Sequence, residues 1–158
     1  NYLNFMKNIT IIIIALLFLS HCGYSSVYNN KKSVNFGINI IGTEGDYEMN
    51  NFIKNEIKLY SDKNSQNIYV TKVSTNYTKE VIAKNASGGI TDYNISVTSI
   101  FTIKLKDVTK NFRYEENINI KNQLDTFQQK IYEQNIKKNF ASSIREKLIL
   151  SILGLNDN

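Results

Sequence analysis

The chain has 158 residues, 42% of them hydrophobic and 21% charged, with seven glycines, no proline, no tryptophan, one cysteine and one histidine. A length of this order supports one self-sustaining domain, and 19 basic against 14 acidic residues leave a mild formal charge of +5, carried by lysine except at Arg113 and Arg145. The only histidine and cysteine are neighbours, His21 and Cys22, so if the apolar segment before them is a leader, the remainder has no Cys/His zinc site, no Ser-His-Asp or Cys-His triad and no redox dithiol. What remains is carboxylates, lysines, hydroxyls and amides, a composition suited to binding.

Taken from the N-terminus, Met6 is a plausible start, Lys7 supplies a short positive region, and residues 9–19 form an apolar stretch of signal-peptide length. A membrane-spanning helix needs about 20 apolar residues, more than this run offers. The stretch ends in Leu19-Ser20-His21-Cys22-Gly23, which resembles the bacterial lipobox, with His21 where that motif has a small residue. The resemblance implies cleavage between His21 and Cys22 and a lipid on the Cys22 sulfur; Gly23, in place of an aspartate, implies delivery to the outer membrane. The expected organisation is a lipoprotein signal peptide over 1–21, a lipidated polar tether over 22–32, and a single domain over 33–158.

Within that domain Val34, Phe36, Ile38 and Ile40 alternate with polar residues, the period of a half-buried strand, and Gly42-Thr43-Glu44-Gly45 is expected to break it. Asp46 is placed to cap a helix reaching Tyr60, with Phe52, Ile53, Ile57 and Tyr60 on one stripe. After a polar turn over 61–67, residues 68–83 read as strand. Ile68 and Val70 fall on one parity and Val73, Tyr77 and Val81 on the other, which predicts a bulge between Val70 and Val73. Asn85-Ala86-Ser87-Gly88-Gly89 is a hairpin loop. Tyr93, Ile95, Val97, Phe101, Ile103 and Leu105 then share one strand face, interrupted only by Ser99. A loop over 107–111 leads to a last strand with Phe112, Tyr114, Ile118 and Ile120 inward. Residues 124–153 read as a helix with Ile136, Phe140, Ile144 and Leu148 at its centre, widened by Phe127, Ile131, Ile149 and Ile152, capped by Asp125 or Thr126 and ended by Gly154. The fold class expected is α+β: a four-stranded, mainly antiparallel sheet with two amphipathic helices on one face.

No constellation for catalysis emerges. Glu115 and Glu116 are adjacent strand residues and point to opposite faces, and the Asn85–Gly89 loop lacks the lysine and hydroxyl of a phosphate loop. No cofactor and no metal site is expected. Lys137, Lys138, Arg145 and Lys147 read as a solvated helix flank, and nucleic acid is not an expected partner. The candidate ligand contacts are the cations of the polar sheet face, Lys72, Lys104, Lys106 and Arg113, which suit phosphate groups of an anionic glycolipid.

The Cys22-Gly23-Tyr24 start, the segment AKNASGGITDYNISVTSIFTIKLK over 83–106 and FASSIREKLILSIL over 140–153, in that architecture, resemble the LPS-assembly lipoprotein LptE family in its divergent, alphaproteobacterial-type form. The proline common soon after the start is replaced by Ser25-Ser26-Val27-Tyr28. The resemblance implies a non-enzymatic outer-membrane lipoprotein on the periplasmic side, seated in an LptD-type β-barrel, assisting its assembly and contacting lipopolysaccharide. The competing reading is a lipoprotein accessory of an ABC-type lipid transporter, for which a deep apolar pocket is expected. Replacing Cys22 by Ala is expected to abolish metabolic fatty-acid labelling and to release the protein from the membrane fraction; labelling that persists in Cys22→Ala would rule out the anchor.

Overall fold

The computed structural model describes residues 35–62, 64–105 and 108–156. Its elements are strand β1 (Gly37–Gly45), helix α1 (Tyr47–Tyr60), strands β2 (Ile68–Lys84), β3 (Ile90–Leu105) and β4 (Val108–Lys121), and helix α2 (Thr126–Asn156). The expected signal peptide and tether, with His21 and Cys22, and the candidate contact Lys106 lie outside the described residues.

The strands form one sheet in the order β1-β2-β3-β4. β1 pairs with β2 in parallel, while β2, β3 and β4 form an antiparallel meander. The parallel pair follows from α1, because a strand that returns through a helical crossover comes back in the same direction. Both helices cover one face of the sheet, and their apolar stripes enter one core: Met49, Ile53 and Ile57 from α1, Ile144, Leu148 and Ile152 from α2, against Val73, Ile95, Val97, Phe101 and Ile103. The α+β architecture read from the sequence is the one observed.

The β1–α1 corner is fixed by four local interactions. Gly45 takes φ +85°, and a Cβ there would lie 1.9 Å from the Thr75 carbonyl oxygen, so only glycine lets the two strands approach. The Asp46 amide donates to that same carbonyl at 2.8 Å. The Asp46 carboxylate accepts from the Met49 amide at 2.7 Å, satisfying a free donor of the first helical turn. Asn50 Nδ2 donates to the Glu44 carbonyl at 2.8 Å. β1 therefore runs through Gly42-Thr43-Glu44-Gly45, where the sequence suggested a break. The other end of α1 is tied back to the sheet, because Ser61 Oγ accepts from the Ile38 amide at 2.7 Å.

The bulge expected between Val70 and Val73 is not in β2, which pairs with β3 without interruption there. The irregularity sits in the neighbouring strand, at Ile41 between Ile40 and Gly42, opposite Thr71 and Lys72. β2 keeps one buried parity, Tyr69, Thr71, Val73 and Thr75, and Ile68 faces outward, 51% exposed. The misreading came from weighting Ile68 and Val70 over Tyr69 and Thr71. Tyr69 is buried edge-on against Phe36, with ring centroids 5.6 Å apart, and Thr75 is buried because its hydroxyl pairs with that of Ser99 at 3.3 Å. That pair also explains the polar interruption of β3: one hydroxyl satisfies another across the ladder.

At the hairpin, Asn85 Oδ1 accepts from the amides of Ser87 and Gly89, at 3.1 and 2.8 Å. β4 starts at Val108, so most of the expected 107–111 loop is strand. α2 opens on Asp125, whose carboxylate accepts from the Gln128 amide at 2.9 Å. It continues through Gly154 to Asn156, so Gly154 does not end it. Two of the residues expected to widen its stripe, Phe127 and Ile131, stay exposed at 70% and 43%.

Gly45 and Gly88 share φ +85°, but a Cβ at Gly88 meets nothing within 4 Å. Gly88→Ala is expected to cost only the left-handed penalty of about 1–2 kcal/mol in urea unfolding. Gly45→Ala is expected to cost clearly more, because it must also push β1 away from Thr75.

Candidate interaction surface

The face of the sheet turned away from the helices carries mostly polar side chains, with Ile68, Val70 and Ile100 among them. Thr78 and Ser96 pair through their hydroxyls at 2.7 Å, and Asn94 Nδ2 donates to Asn119 Oδ1 at 2.7 Å. Of the four candidate cations, Lys72, Lys104 and Arg113 are all on this face, as their parity requires. Lys72 sits opposite Thr102 and Lys104 opposite Val70, which makes the two lysines diagonal neighbours with backbones about 7–8 Å apart. Neither is in an ion pair among the described residues, so both are available to a single anionic group. Arg113 does not join them. It lies opposite Ile100, and its guanidinium is held by Glu115, Nε to Oε1 at 2.7 Å.

The helix-covered side carries a second set of charges that the sequence did not expose. Lys137 and Arg145, read as solvated, are 9% and 4% exposed. Lys137 Nζ donates to Glu48 of α1 at 2.6 Å and lies 4.2 Å from the Tyr77 ring centroid. Arg145 stacks on Tyr60 at 3.8 Å, with Glu56 at 3.8 Å. The eight-residue interval from Glu48 to Glu56 matches that from Lys137 to Arg145, which is what two parallel helices require; that equal spacing was the signal available in the sequence. Elsewhere α2 is pinned to the sheet by Lys79–Glu133 and by Glu116, which accepts from Lys147 and from Ser143. Glu115 and Glu116 thus do point to opposite faces.

The hydrogen bond from Lys137 holds the Glu48 carboxyl below the usual glutamate range, against a smaller opposing effect of burial. The Tyr77 hydroxyl is buried without a hydrogen-bond partner among the described residues. Desolvation, with the charges of Glu133, Asp46 and Glu48, pushes its pKa up to about 12.

An open groove of about 440 Å³ runs between β1 and α1, lined by Ile38, Ile40, Ile57 and Ile68 and rimmed by Lys54 and Lys58. Among the described residues no cluster of His, Cys, Asp and Glu could hold a metal ion, and no helix is long and apolar enough to cross a membrane. The arrangement offers hydrogen bonds and two neighbouring cations on one face.

No family model matches the sequence, and no curated protein is similar enough to count as a relative. Solved structures do share the fold. Rare lipoprotein B from Shewanella oneidensis superposes with a TM-score of 0.55 at 10% identity, over 76% of this chain and 98% of that one. A protein of Caulobacter crescentus CB15, described as a lipoprotein, gives 0.56 at 11% identity, over 80% and 94%. At such identities the likeness establishes the architecture.

Because the tyrosine pKa is raised in the folded protein, its contribution to stability is present below about pH 10 and is lost as pH rises towards about 12. Tyr77→Phe removes an unpaired buried hydroxyl, so it is expected to leave unfolding at pH 7 unchanged or slightly more costly and to flatten the fall in stability above pH 10, read by urea titration at both pH values.

Proposed function

We propose that this chain is an outer-membrane lipoprotein of the LptE type, lipid-anchored through Cys22 on the periplasmic side and seated in the lumen of an LptD-type β-barrel. It assists that barrel's assembly and contacts lipopolysaccharide passing through, without making or breaking a bond. The observation that carries this reading is the helix-free sheet face, three long strands rich in hydroxyls, amides and charges and joined by cross-strand hydrogen bonds. The lumen of an outer-membrane barrel is polar, because its strands place apolar residues towards lipid and polar ones inward. A subunit inside it needs a wet, hydrogen-bonding exterior rather than an apolar one.

The lipobox-like sequence and a fold shared with lipoproteins support the anchor. Lys72 and Lys104, with Lys106 next in the sequence at the same parity, are the proposed contacts for lipopolysaccharide phosphates, while Arg113 is internally neutralised by Glu115. The β1–α1 groove is open, and Asn39, Lys54, Asn55, Lys58 and Ser61 share its lining with the isoleucines, so it does not favour a lipid-transporter accessory with a deep apolar pocket. Solubilising native outer membranes and purifying a tagged chain is expected to recover a large β-barrel protein in about equal amount. Recovery of the chain as a free monomer would overturn the reading.

A further inference from the structure

β1 covers only the first part of β2. Its last paired residue is Gly45, opposite Thr75, whereas β2 continues to Lys84. Beyond Thr75 the β1 position in the sheet is therefore open among the described residues. The direction of the free groups follows from the pairing: Gly37 donates to the Asn67 carbonyl and Asp46 to that of Thr75, so odd-numbered residues of β2 turn their N–H and C=O towards β1. Tyr77, Lys79 and Val81 continue that row with no strand beside them among the described residues. The regular run over 76–81, before the register shift at Val81, is about 20 Å long.

α2 overhangs the same place. Gln134, which reaches Glu48, and Arg145, which reaches Glu56 and Tyr60, define its α1-facing flank. Ile131 and Phe127 lie three and seven residues before Gln134, on that same flank, beyond the N-terminus of α1. They are 43% and 70% exposed, and Val81 and Tyr47 are also exposed. An unpaired strand edge and an uncovered apolar helix flank thus meet in one notch. The lysine that would ordinarily guard such an edge is drawn inward, since Lys79 pairs with Glu133 and lies 4.0 Å from the Tyr93 ring centroid.

We infer that this notch receives an extended segment of the barrel subunit, which adds a strand to residues 76–81 of β2 and lays alternate apolar side chains against Phe127 and Ile131. The inference rests on the reading of the chain as a barrel-seated subunit. A row of outward N–H and C=O groups fits another backbone in extended form, and a helix or a lipid cannot satisfy it. A second copy offers the same backbone row, and its signature is a dependence on protein concentration. The β4 edge is a poorer receptor. The helix residues beside it, Ser143, Lys147 and Ser151, are polar and already engaged with Glu116 and Tyr114.

Residue-resolved amide hydrogen exchange on the purified full chain, alone and in its barrel complex from native membranes, tests this. In the free protein the amides of Tyr77, Lys79 and Val81 are expected to exchange fast, and in the complex to slow by about tenfold or more. Those of Asn76, Thr78 and Glu80, turned towards β3, are expected to be protected in both. A barrel complex in which the odd-numbered amides stay fast overturns the inference while leaving the subunit reading intact; absence of any barrel complex overturns both. Slowing in the free protein that rises with its concentration assigns the edge to a second copy and also overturns the proposal. Phe127→Ser/Ile131→Ser, at exposed positions, is expected to lower recovered barrel by about tenfold with an unchanged melting temperature; full recovery counts against the apolar wall.

Discussion

At Gly45 the chain leaves the sheet in a conformation open to glycine, close enough to Thr75 for the next amide to bond its carbonyl. That contact sets the height at which β1 stops and the angle at which α1 turns back over the sheet. The position of α1 then decides which acids meet which cations on α2. Glu48 at the first turn and Glu56 two turns later meet Lys137 and Arg145 with α2 parallel to α1 in one register. Arg145 keeps Ser142 and Glu146 of its own helix as partners, so Lys137 is the cation that resists sliding: a shift by one turn would take it from Glu48 and leave a desolvated charge unpaired. One backbone contact thus fixes, in sequence, a strand end, a helix and the helix packed on it.

The parts of this arrangement that were legible in the sequence are those whose signal is local. β3 alternates over most of its length, and even Ser99 followed the pattern. Asp46 and Asp125 stand at helix starts because their carboxylates serve amides three residues away. Parity was enough to put Lys72, Lys104 and Arg113 on one face. What escaped was non-local. Whether a lysine is solvated depends on a glutamate 89 residues distant, as for Lys137 and Glu48. The buried side of β2 was missed because Thr71 and Thr75 look like surface residues until the groups that satisfy them are known. Nor could parity show that Arg113 is tied to Glu115 while Lys72 and Lys104, diagonal neighbours, have no ion pair among the described residues.

The two faces of the sheet divide the work. On the helix side, charges are paired inward and hold layers together, so little of that charge is offered to a partner. On the other side, hydroxyls and amides pair across strands, with two neighbouring lysines set among them. A surface built in this way recognises through many weak hydrogen bonds and bridging waters rather than through one apolar anchor. That accords with the proposed place inside a polar barrel more than with a carrier that extracts a lipid from water.

The bulge at Ile41 has a consequence for behaviour at high concentration. Together with Ser61, which occupies the Ile38 amide, it interrupts the outer margin of β1, so molecules cannot stack margin to margin with β1 as the acceptor. Among the described residues this leaves the full-length β4 margin its own copy and the short open run of β2 beyond Thr75 as partners. Pairing of β4 with its own copy is two-fold, closes on itself and does not propagate. A single extra residue in the shortest strand thus removes the β1 margin as an acceptor for ribbon-like stacking.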